Sequence, residues 1–217
     1  MAYDFDKIAR DYDRMNRLMT LGLDCRWRRR AVRTARLHAG DRVLDVACGT
    51  GDMLALLQRS GCSATGIDLS GDMLAQAQCK VPEATLMQGD VERLPFDDAT
   101  FDAVTCAFGV RNFVHLEVGL KEMLRVLKPG GCMVILELAT PDSTLVRPFY
   151  NLYTRKIIPW LGARLAGSRE AYTYLPQSIE RFPKGEAFRQ ALLSAGASNA
   201  RHGKLTFGVC RIYETVK

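Results

Sequence analysis

Val43-Leu44-Asp45-Val46-Ala47-Cys48-Gly49-Thr50-Gly51-Asp52 is the stretch that decides how this chain reads. A short apolar run ends in an acid, a glycine-rich turn follows, and Met53-Leu54-Ala55-Leu56-Leu57 then suits a helix. Strand, turn and helix in that order predict the first unit of an open α/β sheet, whose ligands bind at the carboxyl ends of the strands. The glycines let the backbone approach a ligand closely. A dinucleotide turn would place a third glycine where Leu54 stands and would seat a pyrophosphate on the helix N-terminus. Asp45 and Asp52 would repel that pyrophosphate. A donor without phosphate, carrying a sulfonium and an α-ammonium, suits an acidic turn better, and S-adenosylmethionine is such a donor.

Outward from the turn, short apolar runs alternate with helical stretches, the signature of a parallel sheet with crossover helices. Strands are predicted at 42–47, 63–68, 84–88, 101–107 and 131–138, with helices at 51–60, 71–79 and 115–127. Lys128-Pro129-Gly130-Gly131 is read as the stop before the fifth strand. A helix at 184–195, ended by Gly196, precedes strands at 197–203 and 207–216. Residues 5–38 read mostly as helix, interrupted near Thr20-Leu21-Gly22. The segment 141–183 breaks the alternation. It is rich in aromatics (Phe149, Tyr150, Tyr153, Trp160, Tyr172, Tyr174) and reads as an insertion above the carboxyl edge of the sheet.

Two further acids fall at strand ends. Asp68 closes the second strand, 23 residues after Asp45, where a carboxylate can accept both hydroxyls of a ribose. Asp90 follows the third strand and could accept from an adenine amino group, with the Val91 amide beside it and Leu69 and Met73 packed on the ring. Each acid alone could equally be a turn residue or an N-cap. Three at successive strand ends favour a ligand. Strand four ends at Ala107-Phe108-Gly109-Val110-Arg111-Asn112, the edge facing donor and acceptor, so Arg111 and Asn112 are the polar groups expected nearest the chemistry. Ala47, Gly49, Thr50, Gly51, Ala107 and Phe108 complete the expected cofactor lining.

At 217 residues the chain suits one domain. Its parts are read as a helical lid at 1–38, a cofactor-binding core at 39–140, a substrate-binding insertion at 141–183, and a terminal helix with a strand hairpin at 184–217. Hydrophobic content is 47% and charged content 25%, ordinary values for a globular protein, and no apolar run is long enough to span a bilayer. Acids at Asp4 and Asp6 and the lack of an apolar run beside them argue against a secretory signal, so a cytoplasmic location is expected. The seven cysteines show no CxxC spacing, and no metal site is expected. Net charge is +6, with Arg26, Arg28, Arg29, Arg30, Arg33 and Arg36 crowded together, either a solvated helix face or a surface for phosphates or lipid head groups.

The motifs resemble the UbiE-type (MenG/UbiE) quinone C-methyltransferases, which act on demethylmenaquinol or a polyprenyl benzoquinol. The similarity runs through Tyr12-Asp13-Arg14-Met15-Asn16, Trp27-Arg28, the turn at 45–52, Gly66-Ile67-Asp68-Leu69-Ser70 and Phe108-Gly109-Val110-Arg111-Asn112. It ends in the specific Tyr172-Thr173-Tyr174-Leu175-Pro176-Gln177-Ser178-Ile179 and Phe182-Pro183. The resemblance implies cofactor contacts at Thr50, Asp68, Asp90, Val91 and Ala107. Ala107 stands where the family usually has serine, and Asp24 where histidine is common. The fold expected is a Rossmann-like class I S-adenosylmethionine-dependent methyltransferase: a seven-stranded, mainly parallel sheet in the order 3-2-1-4-5-7-6, with the N-terminal helical lid and the insertion after strand five.

A prenylated quinol, foremost demethylmenaquinol, is therefore the expected substrate, methylated on carbon; the alternatives are a 2-polyprenyl-6-methoxy-benzoquinol of ubiquinone biosynthesis or another small aromatic molecule. Arg111 would stabilise the phenolate or orient a water that takes the proton, Asn112 would orient the same group, and Tyr12 and Asp13 on the lid would close over the site and assist proton transfer. His115 is a second candidate base. Phe149, Tyr153, Tyr172 and Tyr174 would line a cavity for the prenyl tail. Expected partners are that quinol, a transient contact with the inner face of the membrane through the arginine cluster, and a second copy or other quinone-pathway enzymes. Nucleic acid is not expected: the Asn/Asp-Pro-Pro-aromatic run of amino-methylating enzymes is replaced by Ala107-Phe108-Gly109-Val110, and no Pro-Cys nucleophile occurs. An NAD-dependent oxidoreductase is disfavoured by the turn, and a non-catalytic module by the presence of Arg111-Asn112.

Overall fold

The computed structural model describes residues 6, 9, 12–158 and 169–217, without the side chains of 155 and 169–173. Helices α1 (Tyr12–Thr20) and α2 (Leu23–Thr34) come first. Leu21 and Gly22 separate them with positive φ, and the Gly22 amide caps the Arg17 carbonyl at 2.8 Å. The sheet is built from β1 (Arg42–Val46), β2 (Ser63–Asp68), β3 (Thr85–Gln88), β4 (Phe101–Ala107), β5 (Leu127–Leu138), β6 (Asn199–Leu205) and β7 (Cys210–Val216). Its order is β3-β2-β1-β4-β5-β7-β6. The first five strands run parallel, and β7 is antiparallel to both β5 and β6. Helices α3 (Asp52–Arg59), α4 (Gly71–Lys80) and α5 (Leu116–Val126) make the crossovers, and α6 (Arg147–Leu152), α7 (Arg169–Arg181) and α8 (Glu186–Ser194) lie between β5 and β6.

Strand side chains alternate between the two faces. Leu44, Val46, Val104 and Ile135 join Leu120, Phe188 and Tyr213 in one buried cluster. Val43, Ala103, Val134 and Leu136 meet Trp27, Ala31, Leu54 and Leu57 in the other. Helix α2 therefore belongs to the core on one side, and both α1 and α2 border the ligand edge of the sheet. Several boundaries differ from expectation: β6 and β7 begin at Asn199 and Cys210, later than predicted, with a turn at Thr206–Gly208 between them, and β5 begins earlier. Lys128-Pro129-Gly130-Gly131 does not precede β5 but lies within it. Leu127 already pairs with Phe101, whereas Ala103 pairs with Cys132, so β5 carries a bulge in which Gly130 takes φ 77°. The helix ends one residue earlier than predicted because Leu127 is extended, at ψ 134°.

Candidate active site

The carboxyl ends of β1, β2 and β4 enclose a cavity of about 260 Å³. In the turn after β1, Ala47, Gly49 and Gly51 all have positive φ, which explains the two glycines; a Cβ on Gly51 would also press on Ala77 and Val81 at 3.2 Å. The cavity is lined by Ala47, Gly49, Asp68, Leu69, Met73, Asp90, Val91, Ala107 and Phe108, all predicted from sequence. Asp6, Tyr12, Ser70, Asn112 and Phe113 complete it. The Gly49 amide donates to Asp68 at 2.8 Å and the Ser70 amide at 2.9 Å, so this carboxylate ties the first turn to the second. Asp90 serves as an N-cap, accepting from the Glu92 amide at 2.9 Å, while also facing the cavity.

A second compartment, about 20 Å³, continues from the first between Tyr12, Arg28, Asp45, Thr50 and Asp52. Asp45 is fully buried and accepts from Thr105 Oγ1 at 2.7 Å. Burial pushes its carboxyl up to about 7, the Thr105 bond and Arg28 opposing and Asp68 adding to the rise. Burial likewise raises Asp68, against three backbone hydrogen bonds. Two desolvated carboxylates in adjoining compartments are short of positive charge. A ligand bringing a sulfonium and an ammonium, with hydroxyls for Asp68 and a flat ring beside Leu69 and Met73, meets that deficit, so the residues present fit S-adenosylmethionine.

A third cavity, about 290 Å³ and mostly apolar, opens on the other side of Phe108. It is lined from α1 and α2 by Tyr12, Asn16, Met19, Leu23 and Trp27, and from the insertion by Val146, Phe149, Tyr150, Tyr153, Leu175 and Ile179. Tyr12 and Phe108 border both large cavities. Phe149 is three-quarters exposed and stands at the rim. The Tyr153 hydroxyl donates to the Met19 carbonyl at 3.2 Å, stapling insertion to lid.

Several candidates sit differently from expectation. Arg111 lines the apolar cavity but is held in a buried ion pair, Nη1 to Glu137 Oε1 at 2.7 Å, with its Nε donating to Ser178 at 3.3 Å and Nη1 also to the Phe108 carbonyl. Asn112 lines the cofactor side, and the Tyr174 hydroxyl donates to its Oδ1 at 3.0 Å. Tyr174 thus positions Asn112 and does not line the apolar cavity. Asp13 borders none of the three cavities. Its carboxylate accepts from Lys80 at 2.5 Å and from the Thr50 hydroxyl, so it clasps the lid to the glycine turn and is not poised over an acceptor. The side chain of Tyr172 lies outside the described residues, as does Trp160. His115 is two-thirds exposed and bound to Glu92 at 2.7 Å. In the arginine cluster, Arg28 is buried, paired with Asp24 at 2.6 Å and set over the Phe108 ring at 5.1 Å. Arg26, Arg29, Arg30, Arg33 and Arg36 are exposed. Asp24, Arg28, Tyr150 and Glu137 were not anticipated as site residues, although Asp24, Arg28, Ala31 and Ala35 recur at the spacing of one helix face.

The family model of the ubiE/COQ5 methyltransferase family matches residues 2–217. This chain belongs to that family. It is an S-adenosylmethionine-dependent methyltransferase. Among curated relatives it is 42% identical to the demethylmenaquinone methyltransferase of Chlorobaculum tepidum, covering 98% of this chain and 90% of that protein. It is 44% identical to the ubiquinone/menaquinone biosynthesis C-methyltransferase of Geobacter sulfurreducens, covering 96% and 85%. Among solved structures, the methyltransferase bound to the Trm112 activator of Haloferax volcanii superposes with a TM-score of 0.74 at 19% identity, covering 100% of this chain and 98% of that one, a likeness of fold.

In this methyltransferase Gly109, just after β4, packs directly against Ala47 of the glycine turn. A Cβ there would sit 2.5 Å from that of Ala47 and 3.0 Å from Cys106 Sγ. Neither neighbour is a flexible chain end. Gly109→Ala is expected to cost about 1–3 kcal/mol of stability and, because Ala47 borders the cofactor cavity, to weaken S-adenosylhomocysteine binding. Thermal melts with and without that product check both; an unshifted midpoint with unchanged binding would show that the turn relaxes freely.

Proposed function

We propose that this methyltransferase methylates a ring carbon of a reduced, prenylated quinol, converting demethylmenaquinol to menaquinol. The observation that carries the reading is the seam at Tyr12 and Phe108, where a cavity bordered by Asp68 and Asp90 meets an apolar one bordered by a buried arginine. The names of the relatives supply the acceptor class. A benzoquinol of ubiquinone formation is the second reading, favoured by the Geobacter sulfurreducens relative named for both quinones.

When bound, the donor supplies an electrophilic methyl group, and the protein's work is alignment, worth roughly 7–11 kcal/mol in well-oriented systems. An aromatic carbon attacks such a group once the adjacent hydroxyl is ionised. A quinol has that hydroxyl and an oxidised quinone does not. Asp45 and Thr50 hold the donor's amino-acid end, Asp68 the ribose, and Asp90 with Val91 the adenine. Arg111 faces the acceptor and stabilises the phenolate oxygen. Asn112, fixed by Tyr174, orients the ring from the donor side. Val146, Phe149, Tyr153, Leu175 and Ile179 give the tail apolar walls.

No helix among the described residues is long and apolar enough to cross a membrane. A tail-bearing substrate resides in a bilayer, so the reading includes a transient contact of a cytoplasmic protein with the membrane surface, for which the five exposed arginines offer a cationic face. A panel of naphthoquinols and benzoquinols, kept reduced and incubated with labelled donor, tests the acceptor. One methyl per demethylmenaquinol is the expected product; labelling of benzoquinols alone would select the second reading, and labelling of neither would overturn both.

A further inference from the structure

A quinol can attack as its phenolate only if some group takes the hydroxyl proton, and the apolar cavity offers few candidates. Arg28 and Arg111 remain cationic. Burial pushes the Tyr150 phenol up to about 12, Glu180 adding and Arg111 opposing, and burial raises Tyr153 as well. Both phenols therefore keep their protons at neutral pH. Asn16, Thr20, Thr154 and Thr206 carry no basic group. No histidine borders the cavity, and His115 is turned to Glu92.

Among the described residues, Asp24 is the one carboxylate lining this cavity. It is 1% exposed. Its Oδ1 accepts from the Thr20 hydroxyl at 2.9 Å and its Oδ2 from Arg28 Nη1 at 2.6 Å. Oδ2 also accepts from the Cys25 thiol at 3.9 Å, whereas Oδ1 has a second lone pair beyond the Thr20 bond. Arg28 borders both the apolar cavity and the small compartment beside Asp45, and lies over Phe108, which places the pair against the seam between donor and acceptor.

We propose that Asp24 is the proton acceptor of the methyl transfer, an assignment that rests on the quinol reading. The quinol O–H bond breaks and its proton passes to Asp24. The freed electron pair moves into the ring, and the ortho carbon bonds to the methyl as the carbon–sulfur bond breaks, sulfur keeping that pair. The ring carbon then releases its own proton to water, and Asp24 returns the first proton to the oxygen. One proton is released overall and the quinol stays reduced. Arg28 holds the carboxylate in place, and Arg111 steadies the oxygen.

The groups that bear on Asp24 are Arg28 and Cys25 on its own helix, Arg17 on α1, and Asp52 on α3, which meets Arg28 at 3.8 Å; Tyr12 on α1 lines the same cavity. Across the cavity stand Arg111, Tyr150 and Tyr153.

The test compares Asp24→Asn and Asp24→His with the unaltered enzyme, under anaerobic conditions, using labelled donor and reduced demethylmenaquinol across a range of pH. Titration with S-adenosylhomocysteine verifies that each variant is folded. Asp24→Asn is expected to fall about 100-fold or more near neutral pH and to regain rate about tenfold per pH unit as the quinol ionises in solution. Asp24→His restores a base, and the acidic limb of kcat/KM should move up toward the histidine range. A uniform loss at every pH in Asp24→Asn, with no shifted limb in Asp24→His, would assign the pair a structural role and overturn the proposal. If Asp24→Asn does not fold, an unmoved limb in Asp24→His overturns it alone. Turnover of quinol by an Asp24→Asn variant as fast as the unaltered enzyme removes Asp24 while leaving the quinol reading intact; failure of the unaltered enzyme on every quinol removes both.

Discussion

Arg111→Ala is expected to slow methyl transfer on the order of 10²–10³-fold, the usual cost of removing a group that stabilises a developing oxyanion, and to destabilise the fold at the same time. Both effects come from one side chain with two neighbours. Toward the cavity, Arg111 is the cation that the proposed mechanism sets against the acceptor oxygen. Away from it, Nη1 pairs with Glu137, itself 1% exposed, whose remaining partners are the amides of Arg111 and Leu138. Removing one member of a buried pair costs about 3–5 kcal/mol because the other charge is left uncompensated. In a chain of this size that lowers the melting midpoint by roughly 6–20 °C. The double variant Arg111→Ala/Glu137→Ala separates the roles. Without the orphaned carboxylate the midpoint should recover, and turnover should not. Recovery of both together would mean that Arg111 supports the fold and has no part in the chemistry. Binding of S-adenosylhomocysteine should survive in the double variant, since Arg111 borders only the apolar cavity.

Asp45→Asn carries the second large effect, with opposite signs on stability and binding. The folded enzyme holds this carboxyl at about 7, above its ordinary value of 3.8, chiefly through burial. Native protein therefore binds more protons than unfolded protein between these values. Asp45 thus makes stability fall as pH rises through that window, and above about 7 the ionised group is a fixed cost. Asparagine keeps the shape and removes the charge, so the ligand-free variant should melt higher than the unaltered enzyme at pH 8. The donor's ammonium needs the ionised carboxylate. Losing a hydrogen bond to a charged partner weakens binding by about 1.5–3 kcal/mol, roughly 10- to 100-fold. For the same reason the unaltered enzyme should bind the donor less well as pH falls below about 7, and Asp45→Asn should show no such slope. Calorimetric titration and thermal melts across pH read both. A variant that binds the donor normally, or a flat profile in the unaltered enzyme, would remove Asp45 from the donor site.

The acid-lined cavity proposed for the donor was legible in the sequence because local rules place its walls. Strand ends, positive-φ glycines and the acids at or just past the ends of β1, β2 and β3 are fixed by neighbours in the chain, and the sheet order then brings them to one edge. The acceptor half depends on packing between distant segments. Tyr12 and Asp13 are adjacent in sequence, yet about a hundred degrees of helix rotation sends one to the cavities and the other to Lys80. Tyr174 looked like a wall residue and instead orients Asn112, a contact across 62 positions of sequence. The arginine cluster hid its functional member for a simpler reason. A run of arginines says nothing about which one points inward, and only the periodicity of Asp24, Arg28, Ala31 and Ala35 marks the buried face. The bulge in β5 escaped because Pro129 and Gly130 commonly end elements, whereas here pairing resumes on both sides of them.

The most direct measurement is the position of the transferred methyl. The enzyme is given a deuterated-methyl donor and demethylmenaquinone in either its reduced or its oxidised form, without oxygen, and the product is fragmented in a mass spectrometer. One labelled methyl on a ring carbon of the reduced substrate, and none on the oxidised one, is the expected result. Label on a quinol oxygen, or equal labelling of both redox forms, would contradict carbon methylation through a phenolate.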